Sequence, residues 1–295
     1  MAKQKLVVIV GATASGKSDL AVLLAKKYNG EVVSADSRQV YRHMDIGTGK
    51  VPLEEMGGIP HHLLDVADPN EQYSVAQYQK DARRAIADIH ARGKLPILVG
   101  GTGLYIQAIV DGIALPDVAP NHILRTQLQK LSVEKLFKQL EALDPVRAAN
   151  IDAKNPRRLI RAIEIAEALG NVPPATTDER YDTLLIGIRV EKESLDQRIA
   201  RRFDAMLKKG LIKEIKNLNE VHGVSWERIR TFGLECTWVA DFLAGTISKE
   251  VLREGAVRDT IAYAKRQMTW FKRDSRVHWI SKPEEAEDLV QTFLT

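Results

Sequence analysis

The chain has one cysteine, Cys236, among its 295 residues. A lone thiol cannot close an internal disulfide, and no group of Cys and His has zinc-site spacing, so disulfide scaffolds and structural zinc sites are excluded. Long apolar runs are also missing. The longest clean run near the start, Leu6 to Val10, is far below the roughly 18 residues of a membrane span and too short for a signal-peptide core. A cytoplasmic protein without a membrane partner is therefore expected. No strong charge of one sign is present, since 43 Lys and Arg face 39 Asp and Glu. That balance alone does not mark a nucleic-acid binder. Global disorder is excluded in turn by the 44% hydrophobic content. The length suits one large domain or two smaller ones.

What is present is ordered along the chain. Leu6 to Val10 has no polar alternation and reads as a buried strand of a parallel sheet. A glycine-rich turn follows, then a helix over Asp19 to Tyr28 and a second strand over Glu31 to Ser34. After a loop rich in Gly and Pro, the spacing predicts a helix over Ser74 to His90 and a third buried strand over Leu95 to Val99. Alternation of this kind predicts an α/β fold with a parallel sheet covered on both faces. Between Pro116 and about Thr177 no convincing strand is found, only helical stretches at Val133 to Leu143 and Asn155 to Leu169. Leu184 to Val190 reads as a strand returning to the sheet. One long helix is then expected from Leu195 to about Leu218, another from about Ser248 to Arg273, and a last strand over Val277 to Ile280. The expected organisation is a core of residues 1–115 and 182–295 with a helical insertion at 116–181.

The strongest chemical signal is the run Gly11, Ala12, Thr13, Ala14, Ser15, Gly16, Lys17, Ser18, a complete phosphate-binding loop. It lies between a strand and a helix, where backbone N–H groups and the positive helix end surround a phosphate. Lys17 would neutralise the distal phosphate and the Ser18 hydroxyl would ligate Mg²⁺. A fold like that of the P-loop NTPases follows. Asp36, Ser37, Arg38 and Gln39 stand at the end of the second strand, where ligands of parallel sheets bind, and Asp36 could serve as a base or a magnesium partner. Gly100-Gly101-Thr102-Gly103 follows the third strand, with a hydroxyl on Thr102. Three polar turns at three strand ends predict one composite site. Arginines cluster at 157, 158 and 161, at 198, 201 and 202, and along the last long helix.

These segments resemble the tRNA dimethylallyltransferases, also called tRNA isopentenyltransferases. The likeness is carried by GATASGKS at 11–18, DSRQVYRHMDIGTGK at 36–50, HHLLDVADP at 61–69 and LVGGTGLY at 98–105. It continues through NPRRLIRAIE at 155–164, RIARRFDAMLKKGL at 198–211 and AKRQMTWFKR at 264–273. The resemblance implies transfer of a dimethylallyl group from dimethylallyl diphosphate to the exocyclic amine of the adenosine 3′ of the anticodon. It implies Asp36 as general base, and Lys17, the loop amides of 11–18 and Mg²⁺ on Ser18 as stabilisers of the diphosphate. Arg202 is implied as a diphosphate contact, and Thr102 as a contact of the target nucleotide. Asp36, Ser37, Arg38 and Gln39 would meet the flipped adenosine and its neighbours. Arg157, Arg158, Leu159, Ile160 and Arg161 of the insertion would grip the anticodon loop, with Arg125 contributing. The phosphate loop would serve a leaving group instead of ATP hydrolysis.

The sequence departs from the family pattern at Thr231-Phe-Gly-Leu-Glu-Cys236, which therefore receives no role. Eukaryotic members carry a C-terminal zinc finger, whose absence points to the bacterial type. A monomer is expected, because tRNA supplies the large second surface. Three other readings compete: a small-molecule kinase sharing the phosphate loop, an adenylate isopentenyltransferase, and an RNA-binding regulator without catalysis. The first two leave the arginine-bearing insertion without a purpose.

Overall fold

The computed structural model describes residues 3–174 and 176–295. The chain forms two compact units, residues 1–112 with 179–295, and residues 113–178. In the first unit the chain runs β1 (Gln4–Val10), α1 (Lys17–Lys27), β2 (Gly30–Ser34), α2 (Leu53–Met56), β3 (His61–His62), α3 (Val75–Ala91), β4 (Leu95–Gly100) and α4 (Gly103–Val110). The second unit holds α5 (His122–Leu128), α6 (Val133–Leu143), α7 (Pro145–Ala149) and α8 (Pro156–Leu169). The first unit resumes with β5 (Tyr181–Ile188), α9 (Lys192–Lys209), α10 (Leu211–Glu220), α11 (Trp226–Thr231), α12 (Glu235–Leu243), α13 (Lys249–Phe271), β6 (Val277–Ile280) and α14 (Pro283–Leu294).

The strands form one parallel sheet in the order β3-β2-β4-β1-β5-β6. β1 is central, and its side chains alternate between two cores. Leu6, Val8 and Val10 join the core that includes Tyr78 and Ile86 of α3 and Ile109 of α4. Val7 and Ile9 join the core formed with Leu20 and Leu24 of α1 and Val290 of α14. Burial on both faces is why the strand reads as an unbroken apolar run. The chain leaves β1 toward β2 on one side and returns through β5 on the other. Their divergence opens a crevice at the carboxyl end of β1, where the phosphate loop begins.

The expected single helix over Leu195 to Leu218 is two helices. Gly210 between α9 and α10 has φ +103°, a left-handed conformation that a residue without a Cβ adopts freely. Helices α2, α5, α7 and α11 escape a reading by periodicity because each spans only one or two turns. The longer α12 carries no start signal, whereas α14 has one: Pro283 opens it, and Glu285 accepts from the N–H groups of Ser281 (3.1 Å) and Lys282 (2.9 Å).

In the second unit Asn121, Ser132, Asp144 and Asn155 cap α5, α6, α7 and α8 through their side chains. Its apolar core includes Leu128, Leu136, Leu140, Leu159, Ile160 and Ile163. Leu159 and Ile160, which the resemblance assigns to the RNA grip, bury their side chains in this core. They are 0% and 9% exposed because their positions on α8 face α6. The polar centre of the unit is Glu164, whose carboxylate accepts from Asn121 N–H (2.6 Å), from Arg125 Nε and Nη2 (2.9 and 2.8 Å) and from Arg161.

Candidate active site

The phosphate loop lies where β1 gives way to α1. Gly16 caps the helix in a left-handed conformation, and Ala14 also has positive φ. This backbone turns residues 13–18 into the wall of a cleft of about 1020 Å³. Gly11 and Ala12 are buried beneath it. Lys17 Nζ donates to the Ala12 carbonyl at 2.6 Å. Burial pushes its ammonium down to about 8, with Asp36 pulling upward and Arg202 adding to the downward shift. Arg202 of α9 lines the same cleft and donates to Thr13 Oγ1 (3.4 Å) and to the Gly49 carbonyl (3.5 Å). Burial holds its guanidinium below the ordinary arginine range, Glu235 and Asp36 opposing and Arg38 reinforcing. Two cations with depressed affinity for their own charge mark a place suited to an anion.

Asp36 closes β2 and also lines the cleft. Its Oδ1 accepts from the N–H groups of Arg38 (2.9 Å) and Gln39 (3.3 Å), which fixes the carboxyl in a tight turn. No hydrogen bond from a described residue reaches Oδ2. Arg38 turns away from Asp36 and pairs with Glu235 (2.9 Å), also reaching the Gly47 carbonyl (3.4 Å). Burial is the largest influence and opposes its charge, but Glu235, Cys236 and Asp36 together outweigh it and raise its pKa. Gln39 accepts from Ser34 Oγ (3.2 Å) and donates to the carbonyls of Thr48 (3.4 Å) and Gly49 (3.3 Å). Thr102 caps α4, and its Oγ1 accepts from Ser37 N–H at 3.0 Å. The turns after β1, β2 and β4 therefore meet, and their side chains are spent largely on holding one another.

Residues distant in the chain also shape the cleft. Glu214 of α10 accepts from three successive N–H groups, of Asp45 (2.9 Å), Ile46 (2.7 Å) and Gly47 (2.8 Å), and so clamps the loop that carries Gly49. Burial raises its carboxyl despite those bonds. Tyr263 and Gln267 of α13 line the cleft. Burial and the Asp36 charge push the Tyr263 hydroxyl up to about 12, with Arg38, Thr102 and Gln267 opposing. Gln267 accepts from Thr13 N–H (2.8 Å), so this amide of the loop is not available to a phosphate. Gln267 lies in the segment 264–273, and Glu235 in the divergent segment 231–236 that received no role; Glu214 and Tyr263 stand in no motif.

The second unit separates its arginines into two kinds. Arg125 and Arg161 converge on Glu164, which is 2% exposed. Arg157 and Arg158 are exposed at the start of α8, with Asp152 at 3.9 Å from Arg158. Among the described residues no helix is long and apolar enough to cross a membrane, and no three His, Cys, Asp or Glu side chains converge as a metal cage.

Residues 39–274 match the model of the family described as IPP transferase. The tRNA dimethylallyltransferase of Carboxydothermus hydrogenoformans is 41% identical over 99% of this chain and 97% of its own length. That of Streptomyces avermitilis is 44% identical over 94% of this chain and 90% of its own. The solved structure of the tRNA isopentenylpyrophosphate transferase of Bacillus halodurans superposes with a TM-score of 0.74 at 40% identity, covering 99% of this chain and 96% of that one. A eukaryotic dimethylallyltransferase acting on tRNA gives 0.79 at 30% identity, over 94% and 74% of the two chains.

Proposed function

The chain belongs to the IPP transferase family, and from that premise we propose that it transfers a dimethylallyl group from dimethylallyl diphosphate to the exocyclic amine of the adenosine 3′ of the tRNA anticodon, releasing diphosphate. The observation that carries the reading is one cleft lined by a carboxylate, Asp36, and by two half-buried cations, Lys17 and Arg202. A diphosphate lies against Lys17, Arg202 and the amides of Ala14 to Ser18. The amine enters beside Asp36. As the bond from nitrogen to the allylic carbon forms, the bond from that carbon to the diphosphate oxygen breaks, and its electron pair leaves with the diphosphate. The amine proton passes to Asp36 Oδ2.

Mg²⁺ fits these residues. It commonly takes one or two protein ligands and completes its shell with substrate oxygens and water, so a single hydroxyl, Ser18, at the mouth of the loop suits it where a cage of carboxylates is not needed. When bound there it supplies positive charge to the departing diphosphate. The adenosine is flipped out of its stack to reach Asp36, and Thr102, by locking Ser37, fixes the turn it meets. Arg157 and Arg158, exposed on α8, grip the anticodon loop through its phosphates. Arg125 and Arg161 act through Glu164 instead, by holding the unit together. The enzyme works as a monomer in the cytoplasm.

The test is transfer of radiolabelled dimethylallyl to unmodified tRNA with Mg²⁺, for the wild type beside Asp36→Asn and with AMP as a competing acceptor. Label enters tRNA alone and falls by about 10² to 10⁴ in the variant, the usual contribution of a general base. Label in AMP makes the protein a mononucleotide prenyltransferase, and no label with ATP consumed makes it a kinase.

A further inference from the structure

Helix α13 lines the cleft with Tyr263 and Gln267, four residues apart, and Trp270 follows three residues later on the same face, beside Gly103. Gln267 is the buried member, 5% exposed. Its Oε1 accepts from Thr13 N–H in the phosphate loop at 2.8 Å. Its Nε2 donates to the carbonyl of Gly101, in the turn after β4, at 2.9 Å. One planar amide thus ties the loop after β1 to the turn after β4.

The fit is close on both sides. A Cβ at Gly101 would lie 2.1 Å from Gln267 Nε2, and one at Gly103 would lie 2.4 Å from the Trp270 ring. The glycines of that turn are therefore needed to admit α13. Beyond Gly101 the connection continues, since Thr102 Oγ1 accepts from Ser37 N–H at 3.0 Å and Asp36 Oδ1 accepts from Arg38 N–H at 2.9 Å. The path runs from the loop that faces the leaving group to the carboxylate that faces the amine.

We infer that Gln267 is a positioning residue, a brace that sets the spacing between the leaving-group side and the acceptor side of the cleft; this rests on the prenyl-transfer reading above. An amide is the group that suits the place. It offers an acceptor to Thr13 and a donor to Gly101 at once. A carboxylate would set negative charge against the Gly101 carbonyl, and an aliphatic side chain would leave a buried N–H and a buried carbonyl unpaired. Loosening the brace leaves both binding surfaces present and spoils their separation. The loss therefore falls on kcat, and misplacement of reacting groups by about 1 Å costs up to about 100-fold.

Two variants and two readouts test this in the full chain. Gln267→Leu removes both bonds. Its kcat for tRNA prenylation falls about 10- to 100-fold, while KM for tRNA and for dimethylallyl diphosphate stays within about threefold. Gln267→Glu keeps the acceptor and regains the donor only when the new carboxyl is protonated. Its kcat, taken as a ratio to the wild type at each pH, is low at pH 8.5 and rises about tenfold toward pH 5.5. Independently of activity, amide hydrogen exchange in peptides covering 11–18 and 100–105 quickens together in Gln267→Leu, while the β5 peptide is unchanged. Unchanged exchange in both turns overturns the brace, whatever the activity. So does a kcat per folded enzyme equal to the wild type, or a loss in Gln267→Glu that is flat with pH. A wild type that modifies no tRNA defeats the functional reading alone, and the exchange result still decides the brace.

Discussion

Replacing Glu164 by Gln should loosen the helical unit of residues 113–178 without disturbing the sheet. The side chain keeps its shape and loses its charge, in a place where two arginines and one backbone amide are aimed at it. Burial by itself raises the Glu164 carboxyl, and the bonds from Arg125, the Asn121 amide and Arg161 reverse that and hold it at about 2. The drop from the ordinary 4.5 corresponds to about 3 kcal/mol. Removing one partner of a buried ion pair costs a similar amount, about 3 to 5 kcal/mol. Water at the part-exposed Arg161 screens some of this, so about 2 to 3 kcal/mol is expected. The contribution is complete above the unfolded-state pKa and is lost as pH falls through the folded value near 2. The gap between wild type and variant is thus constant at pH 6 to 8 and closes between about pH 4.5 and 2.

Hydrogen exchange read by mass spectrometry isolates the effect. Peptides from α5 and α8 exchange about 30- to 100-fold faster in the variant at pH 7, and those from β1 and β4 do not change. Fluorescence offers a control, because all four tryptophans, at 226, 238, 270 and 279, lie outside residues 113–178. Acceleration below threefold in the α8 peptide would show that the carboxylate does not hold this unit together.

Further outcomes follow from the cleft and from the helical unit. Gly49→Ala places a Cβ 1.6 Å from Arg202 Nη2 at a φ of +59°, so prenyl transfer falls more than about 100-fold in a tRNA assay. Gly58→Ala, at φ +79° with nothing within 4 Å, costs only about 1 kcal/mol of backbone strain in a urea melt and leaves the rate unchanged. Because burial lowers the Lys17 ammonium to about 8, binding of inorganic diphosphate at pH 8 takes up about half a proton more in the wild type than in Lys17→Met. Calorimetry in two buffers of different ionisation enthalpy measures this difference. Arg157→Ala lowers the slope of log affinity for tRNA against log salt by about 0.7 to 0.9 and leaves the melting temperature alone. Arg161→Ala instead lowers the melting temperature, as a change in circular dichroism before any loss of RNA contact.

Sequence alone determined the features that depend on neighbours in the chain. The glycines and Lys17 of residues 11–18 specify a phosphate loop through local backbone geometry, and two-faced burial of Leu6 to Val10 specifies a parallel strand. The polar turns at strand ends were readable because a parallel sheet presents those ends together. Tertiary structure decided which side chains pair across long separations. Thr13 meets Gln267 across 254 positions, and Arg38 meets Glu235 across 197. Nothing in the intervening sequence encodes such a pair, because it depends on where the chain path brings α12 and α13 back to the sheet. The same holds for Leu159 and Ile160, which share a segment with exposed arginines yet turn inward. A helix turns one stripe of positions inward and the rest to solvent, and packing against Leu136 and Leu140 of α6 decides that Leu159 and Ile160 fall in the inward stripe.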